Sequence, residues 1–139
     1  MLLAVHLLVV GAYAGFQWTV RVLVYPQFAA VPPARFAAYE RAHQRRVSRV
    51  VGPLFAAQAV TTGWLLADRP AGTPLALVLL AAALYGAVLL VTAAVAVPLH
   101  RRLDGGWDPA AHRRLLRVDA LRVALATAAA GVALALAVG

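Results

Sequence analysis

The sequence predicts an all-α integral membrane fold, an antiparallel four-helix bundle with an interfacial amphipathic helix before the second span. Three observations carry that expectation. Of 139 residues, 63% are hydrophobic and 13% charged, and the mean hydropathy is +0.80, more apolar than a soluble domain of this length sustains. The apolar residues gather in four runs, each close to the roughly 20 residues that cross about 30 Å of hydrocarbon. Prolines, charges and turn residues separate the runs. A single transmembrane domain over 1–139 accounts for the length, with spans at about 2–24, 47–67, 75–99 and 118–138.

The first run, Leu2 to Val24, has nothing basic before Arg21 and therefore reads as a retained span rather than a cleaved signal. His6, Tyr13, Gln17 and Arg21 fall near one face at 3.6 residues per turn, and Gly11 and Gly15 on the other offer a contact for a second helix, so a homo-oligomer is expected there. Pro26 is expected to end this helix and Pro33 to open the next. Phe36, Tyr39, His43, Val47 and Val50 then step by three or four, while Arg35, Arg41 and Arg45 point elsewhere, the pattern of a helix lying at the interface. Pro53 removes the donor to the Arg49 carbonyl and predicts a kink in the second span. The segment from Asp68 to Pro74 is a tight turn, Pro98 is expected to close the third span, and Asp108-Pro109 is a helix start with Asp108 as N-cap.

All 13 basic residues are arginine, and the net charge is +8. Beside apolar runs such charge orients the chain and meets anionic lipid head groups; nucleic acid is not an expected partner. The segment 25–46 and the adjoining Arg49 carry five arginines against Glu40, and 100–117 carries five against Asp104 and Asp108, whereas Asp68 and Arg69 cancel in the middle turn. The positive-inside rule therefore predicts that 25–46 and 100–117 are cytoplasmic loops of a cell-membrane protein whose termini both lie outside. The absence of cysteine excludes thiol or disulfide chemistry.

This orientation brings Gln17, Arg21, Tyr39, His43, Arg46, His100, Asp119 and Arg122 to the cytoplasmic third of the bundle, as the candidate site for an apolar small molecule such as a quinone, polyketide or lipid. Asp119 and Arg122, three residues apart, are expected to pair. His43 and His100 with Glu40 or Asp119 supply the residue types of a two-histidine-one-carboxylate metal site, which suits non-haem iron. His6 is expected at the far interface and His112 on an exposed helix among arginines. Tyr13, Gln58, Thr61, Tyr85 and Thr92 are the polar residues that reach the middle, where they are expected to satisfy one another. The alternative to binding is a non-catalytic subunit or scaffold in which the polar residues are structural. No cofactor is singled out, and no nucleophile elbow, phosphate-binding loop or HExxH pattern occurs.

The runs Phe16-Gln17-Trp18-Thr19-Val20-Arg21, Tyr25-Pro26-Gln27-Phe28, Gly52-Pro53-Leu54, Pro98-Leu99-His100-Arg101-Arg102-Leu103 and Asp108-Pro109-Ala110-Ala111-His112, with Phe36, Tyr39, His43, Arg46 and Arg122, resemble a family of small, uncharacterised bacterial four-span membrane proteins. More remotely, the chain is similar to the anthrone oxygenase-like membrane proteins. The closer resemblance implies the four-span fold over nearly the whole chain, and the remoter one implies oxygenase-like chemistry. Against the pattern of the closer family, Arg21 stands for glutamine, Val24 and Glu40 for histidine, Gln58 for glutamate and Asp119-Ala120 for Asn-Trp. Those departures imply altered metal or proton chemistry in this member.

Overall fold

Inside lipid the backbone finds no water to bond, so a chain of this composition closes its peptide hydrogen bonds within helices. The computed structural model describes residues 1–139 and contains four long helices and no strand. These are α1 (Leu2–Ala30), α2 (Pro33–Ala67), α3 (Leu75–Leu103) and α4 (Pro109–Val138), each long and apolar enough to cross a membrane. The connections at 31–32, 68–74 and 104–108 are short, and successive helices return antiparallel. Each helix packs on its two neighbours in chain order, with α4 closing the ring against α1. Only 30 of the 139 residues are buried, and Leu8, Val22, Val60, Trp64, Leu79 and Leu90 face outward. This is the surface of a bundle whose solvent is as apolar as its own side chains.

Prolines do not end α1 and α3 where the sequence suggested. Each helix passes through one wide, π-helical turn just before its proline, at Val20–Val24 and at Thr92–Ala96. In the first, the Tyr25 N–H bonds the Val20 carbonyl five residues back; in the second, Val97 N–H bonds the Thr92 carbonyl. The wide turn shifts the bonding register by one, so the position left without a donor is the one that proline occupies, Pro26 or Pro98. The helices continue, α1 to Ala30 through a final 3₁₀ turn and α3 to Leu103. The extra residue also turns the inward face: burial steps from Val20 to Tyr25 and then Phe28.

α2 runs 35 residues without a break through Pro53, about 52 Å at 1.5 Å per residue, well beyond the hydrocarbon thickness. The amphipathic stretch and the second span are therefore parts of one helix. Likewise α4 begins at Pro109, so the segments expected as arginine-bearing loops are mostly helical: Arg35 to Arg49 lie on α2, Arg101 and Arg102 on α3, and Arg113 to Arg117 on α4. Arginine and alanine are good helix formers, and both helices open on a proline that needs no donor. At this end Tyr25, Phe28, Phe36, Leu99, Leu103 and Leu115 make the largest apolar cluster. At the other, Ala129 and Ala133 of α4 meet Val10, and Leu136 meets Leu65 and Val78. The Gly11 and Gly15 face is open: a Cβ built at either position meets nothing within 4 Å.

Asp108 caps α4, its Oδ1 accepting from the N–H groups of Ala110 (2.9 Å) and Ala111 (3.0 Å), while Oδ2 accepts from Arg102 (2.6 Å). The Ala111 amide, with Arg102 and the Ala110 amide, holds its carboxyl below the usual carboxylate value. A lowered folded-state value means stability that is present above the unfolded value and lost as pH falls through the folded one. We expect Asp108→Asn to keep the cap and lose this acid sensitivity, and Asp108→Ala to lower the melting temperature at neutral pH. Melting in detergent as a function of pH measures both.

Candidate functional site

A polar side chain buried in a lipid-embedded bundle needs a partner within the protein, and the partners here lie in three levels along the bundle. At the inner level, the end that carries most arginines, all four helices contribute. The Tyr25 hydroxyl of α1 is 2.9 Å from His100 Nε2 of α3, and His100 Nδ1 is 2.5 Å from Glu40 Oε1 of α2. Gln44 donates to the same Glu40 oxygen (3.1 Å) and to Asp104 Oδ1 (2.8 Å). His43 stacks on His100 with ring centroids 5.9 Å apart and meets Phe28 edge-on. From α4, His112 Nε2 donates to the Tyr25 carbonyl at 2.8 Å.

At the middle level the Tyr13 hydroxyl donates to Gln17 Oε1 (3.2 Å), and Gln17 Nε2 donates to Asp119 Oδ1 (2.5 Å), joining α1 to α4. Arg122 NH1 stands 3.7 Å from the same Asp119 oxygen. That is an ion-pair distance rather than a hydrogen bond. At the outer level His6 Nδ1 of α1 lies 2.9 Å from Thr61 Oγ1 of α2.

Between the inner and middle levels lies a cavity of about 350 Å³. Phe16, Val20, Val47 and Val51 make its apolar wall, Tyr25, His100, Thr92 and Arg122 its polar one, and the exposed Ser48 and Arg101 its rim. Two of the polar groups have unused bonding capacity, since Arg122 Nε and Thr92 Oγ1 are both buried with no partner. Each can donate to an acceptor brought against it, so the lining residues hold two unused donors beside an apolar wall.

Of the residues singled out from sequence, the structure joins Gln17, Asp119 and Arg122 in one network and His43, His100 and Glu40 in another. Tyr39 instead packs on Phe28 and Phe36, Arg46 is exposed, and Arg21 reaches across to donate to the Leu116 carbonyl (2.6 Å) rather than into the cavity. Glu40 and His43 are one turn apart on α2, the spacing that helix-bundle metal sites use, yet Glu40 turns to His100 and no three His, Asp or Glu side chains converge as a ligand set. Two histidines differ from expectation. His6 is 2% exposed rather than interfacial, because the outer part of α2 supplies Thr61; His112 is 6% exposed rather than solvated, because α1 continues past Pro26 and covers it. The mid-bundle polar residues do not satisfy one another: Tyr85 donates to the Phe55 carbonyl, and Gln58 Nε2 is buried without a partner. Tyr25, Gln44 and Asp104 escaped the sequence reading. Gln44 sits four residues after Glu40, a signal that was available; Tyr25 turns inward only through the wide turn before it.

No protein-family model, no curated protein and no solved structure matches the chain.

His112 and Arg46 give a direct check of this arrangement. His112→Leu should remove the donor to the Tyr25 carbonyl and destabilise the protein by about 1 kcal/mol, the typical net worth of a buried hydrogen bond, whereas Arg46→Ala should leave melting unchanged. Thermal unfolding of the two variants in the same detergent reads the difference; equal melting would mean that His112 is solvated.

Proposed function

We propose that this multi-pass membrane protein binds an amphipathic small molecule in the inner cavity, a quinone-, polyketide- or lipid-like guest whose oxygen-bearing head meets Arg122 and Thr92 and whose apolar body lies along Val47 and Val51. The observation that carries the reading is the pair of buried, unpartnered groups, Arg122 Nε and Thr92 Oγ1, on residues that line a chamber with one apolar wall. An unmet buried donor costs about 1–3 kcal/mol, and a guest acceptor recovers that cost. Tyr25, bonded to His100 and through it to Glu40, presents a second hydroxyl to the same head, an arrangement suited to passing a proton to or from it. Oxygenation of the guest is the chemistry that the remoter resemblance suggests; the cavity itself supports binding. A second reading is a scaffold that assembles through the Gly11 and Gly15 face, supported by its being open along the outside of α1.

The arginine distribution supports a cytoplasmic location for the inner end. Every arginine except Arg69 lies in that half of the chain's path, and only Asp68 and Arg69 charge the far turn.

Native mass spectrometry of the detergent-purified protein tests the binding reading. Wild type should carry a small molecule that Thr92→Val, which preserves shape and breaks no bond, loses at least in part and that Arg122→Gln loses fully. Wild type without any guest, or equal occupancy in all three, counts against it, and the assembly mass in the same spectra reports on the scaffold reading. Orientation is tested separately. The chain has no cysteine, so Ala71→Cys and Ala110→Cys each introduce the sole thiol. In intact cells an impermeant reagent should label the cysteine at 71 and spare the one at 110; the opposite pattern reverses the topology.

A further inference from the structure

With the inner chamber taken as a binding site, as above, we propose that it opens sideways into the lipid through a window between α2 and α3, and admits through it a single-chain amphiphile with a carboxylate head, of the fatty-acid class.

Along their shared seam α2 and α3 are tied by side-chain hydrogen bonds at two heights. Toward the outer end the Tyr85 hydroxyl donates to the Phe55 carbonyl (2.9 Å). Toward the arginine-rich end Gln44 donates to Asp104 Oδ1 (2.8 Å), and His100 Nδ1 pairs with Glu40 Oε1 (2.5 Å). From Gln44 to Phe55 is eleven residues, about 16 Å of helix, and no side-chain hydrogen bond crosses the seam within that interval.

The chamber lies in this gap. Val47, Ser48 and Val51 of α2 line it on one side, and Thr92, Ala96 and Val97 of α3 on the other. Ser48 is exposed and so is Val97, at 38%, so the chamber has an open mouth on the outer surface of the bundle. Val51 and Val97 belong to the apolar runs of their helices, and the mouth therefore faces acyl chains rather than water. Both edges are irregular. α3 makes its wide turn at Thr92–Ala96, and α2 carries Pro53, which leaves the Arg49 carbonyl without its helical donor. Helices bend at such points, and here two of them flank the opening.

The lining selects the guest. Arg101 is exposed at the rim and Arg122 is 5% exposed inside, while no Asp or Glu lines the chamber. Asp119 and Glu40 stand behind the lining, at 3.7 Å from Arg122 and 2.5 Å from His100. The wall thus offers positive charge and donors, and a hydrogen bond to an ionised acceptor is about twice as strong as a neutral one. One buried guanidinium suits a head with a single negative charge. The volume of about 350 Å³ is near the lower end for ligand pockets, roughly 300–1,000 Å³, so it takes a head and the start of one chain, with the remainder left in the leaflet. The head passes Arg101 and stops at Arg122 and Thr92.

The test uses the full chain in phosphatidylcholine vesicles that contain palmitic acid with a photoreactive diazirine in its chain, at a pH where the carboxyl is ionised. The matching alcohol is the uncharged control. After illumination, peptide mass spectrometry should find the acid's label on residues 47–51 and 92–97, and the alcohol's label there about fivefold weaker, the loss expected for a charge-assisted bond. Val97→Trp fills the mouth from an exposed position and should cut the acid's labelling by a similar factor; Leu90→Trp, also exposed on α3 but outside the chamber, should leave it unchanged. Equal labelling by acid and alcohol overturns the carboxylate head, and full labelling of the Val97→Trp protein overturns the window. Native mass spectrometry of the wild type keeps two failures apart. A retained guest of other chemistry with no label in the window overturns this inference alone, whereas neither guest nor label removes the binding reading with it.

Discussion

The bond from Gln17 to Asp119 is the contact on which the interior depends. It joins α1 to α4 and sets a fully buried carboxylate beside the nearly buried Arg122. Removing one member of a buried charge pair is costly because the other is stranded, more so where lipid replaces water outside. The aromatic cluster at the inner end and the alanine contacts at the outer end then pack around a pair whose position is already fixed. Arg21, bonded to the Leu116 carbonyl one turn away, reinforces the same α1–α4 seam.

The levels of polar residues differ in how fully they are satisfied. His6 and Thr61 serve each other, whereas Glu40, Asp119, Arg122, Thr92 and Gln58 each keep an atom unbonded. A network serving stability alone would be expected to close these valences, since each costs free energy inside a bilayer. Of these, Arg122 and Thr92 are among the residues that line the inner cavity.

Much of this was legible in the residues. Four apolar runs fixed four helices; the positions of Gln17, Asp119 and Arg122 along their spans put them at one depth; Asp108-Pro109 marked the start of α4. What escaped did so for a definable reason. A period of 3.6 carried through Val20–Val24 turns Val24 inward, and only the π-helical turn moves Tyr25 into its place, so the residue that completes the His100–Glu40 chain was hidden by one residue of register. His112 was hidden by the same error at one remove. With α1 ended at Pro26 the Phe28 ring that stacks on His112 is not placed over it, and an arginine-flanked histidine then reads as solvated.

The wide turns in α1 and α3 have a mechanical meaning as well. Each is followed by a proline, so each helix has a point where the backbone ladder misses a rung, and α2 has another at Pro53. α4 alone runs from its first turn to its last without such a joint, and it carries Asp119 and Arg122. The bundle is accordingly built as one stiff mast with three articulated neighbours. A bend at either of the first two joints would move Tyr25 or His100 relative to Asp119 and Arg122, so a missing hydrogen bond doubles as a pivot.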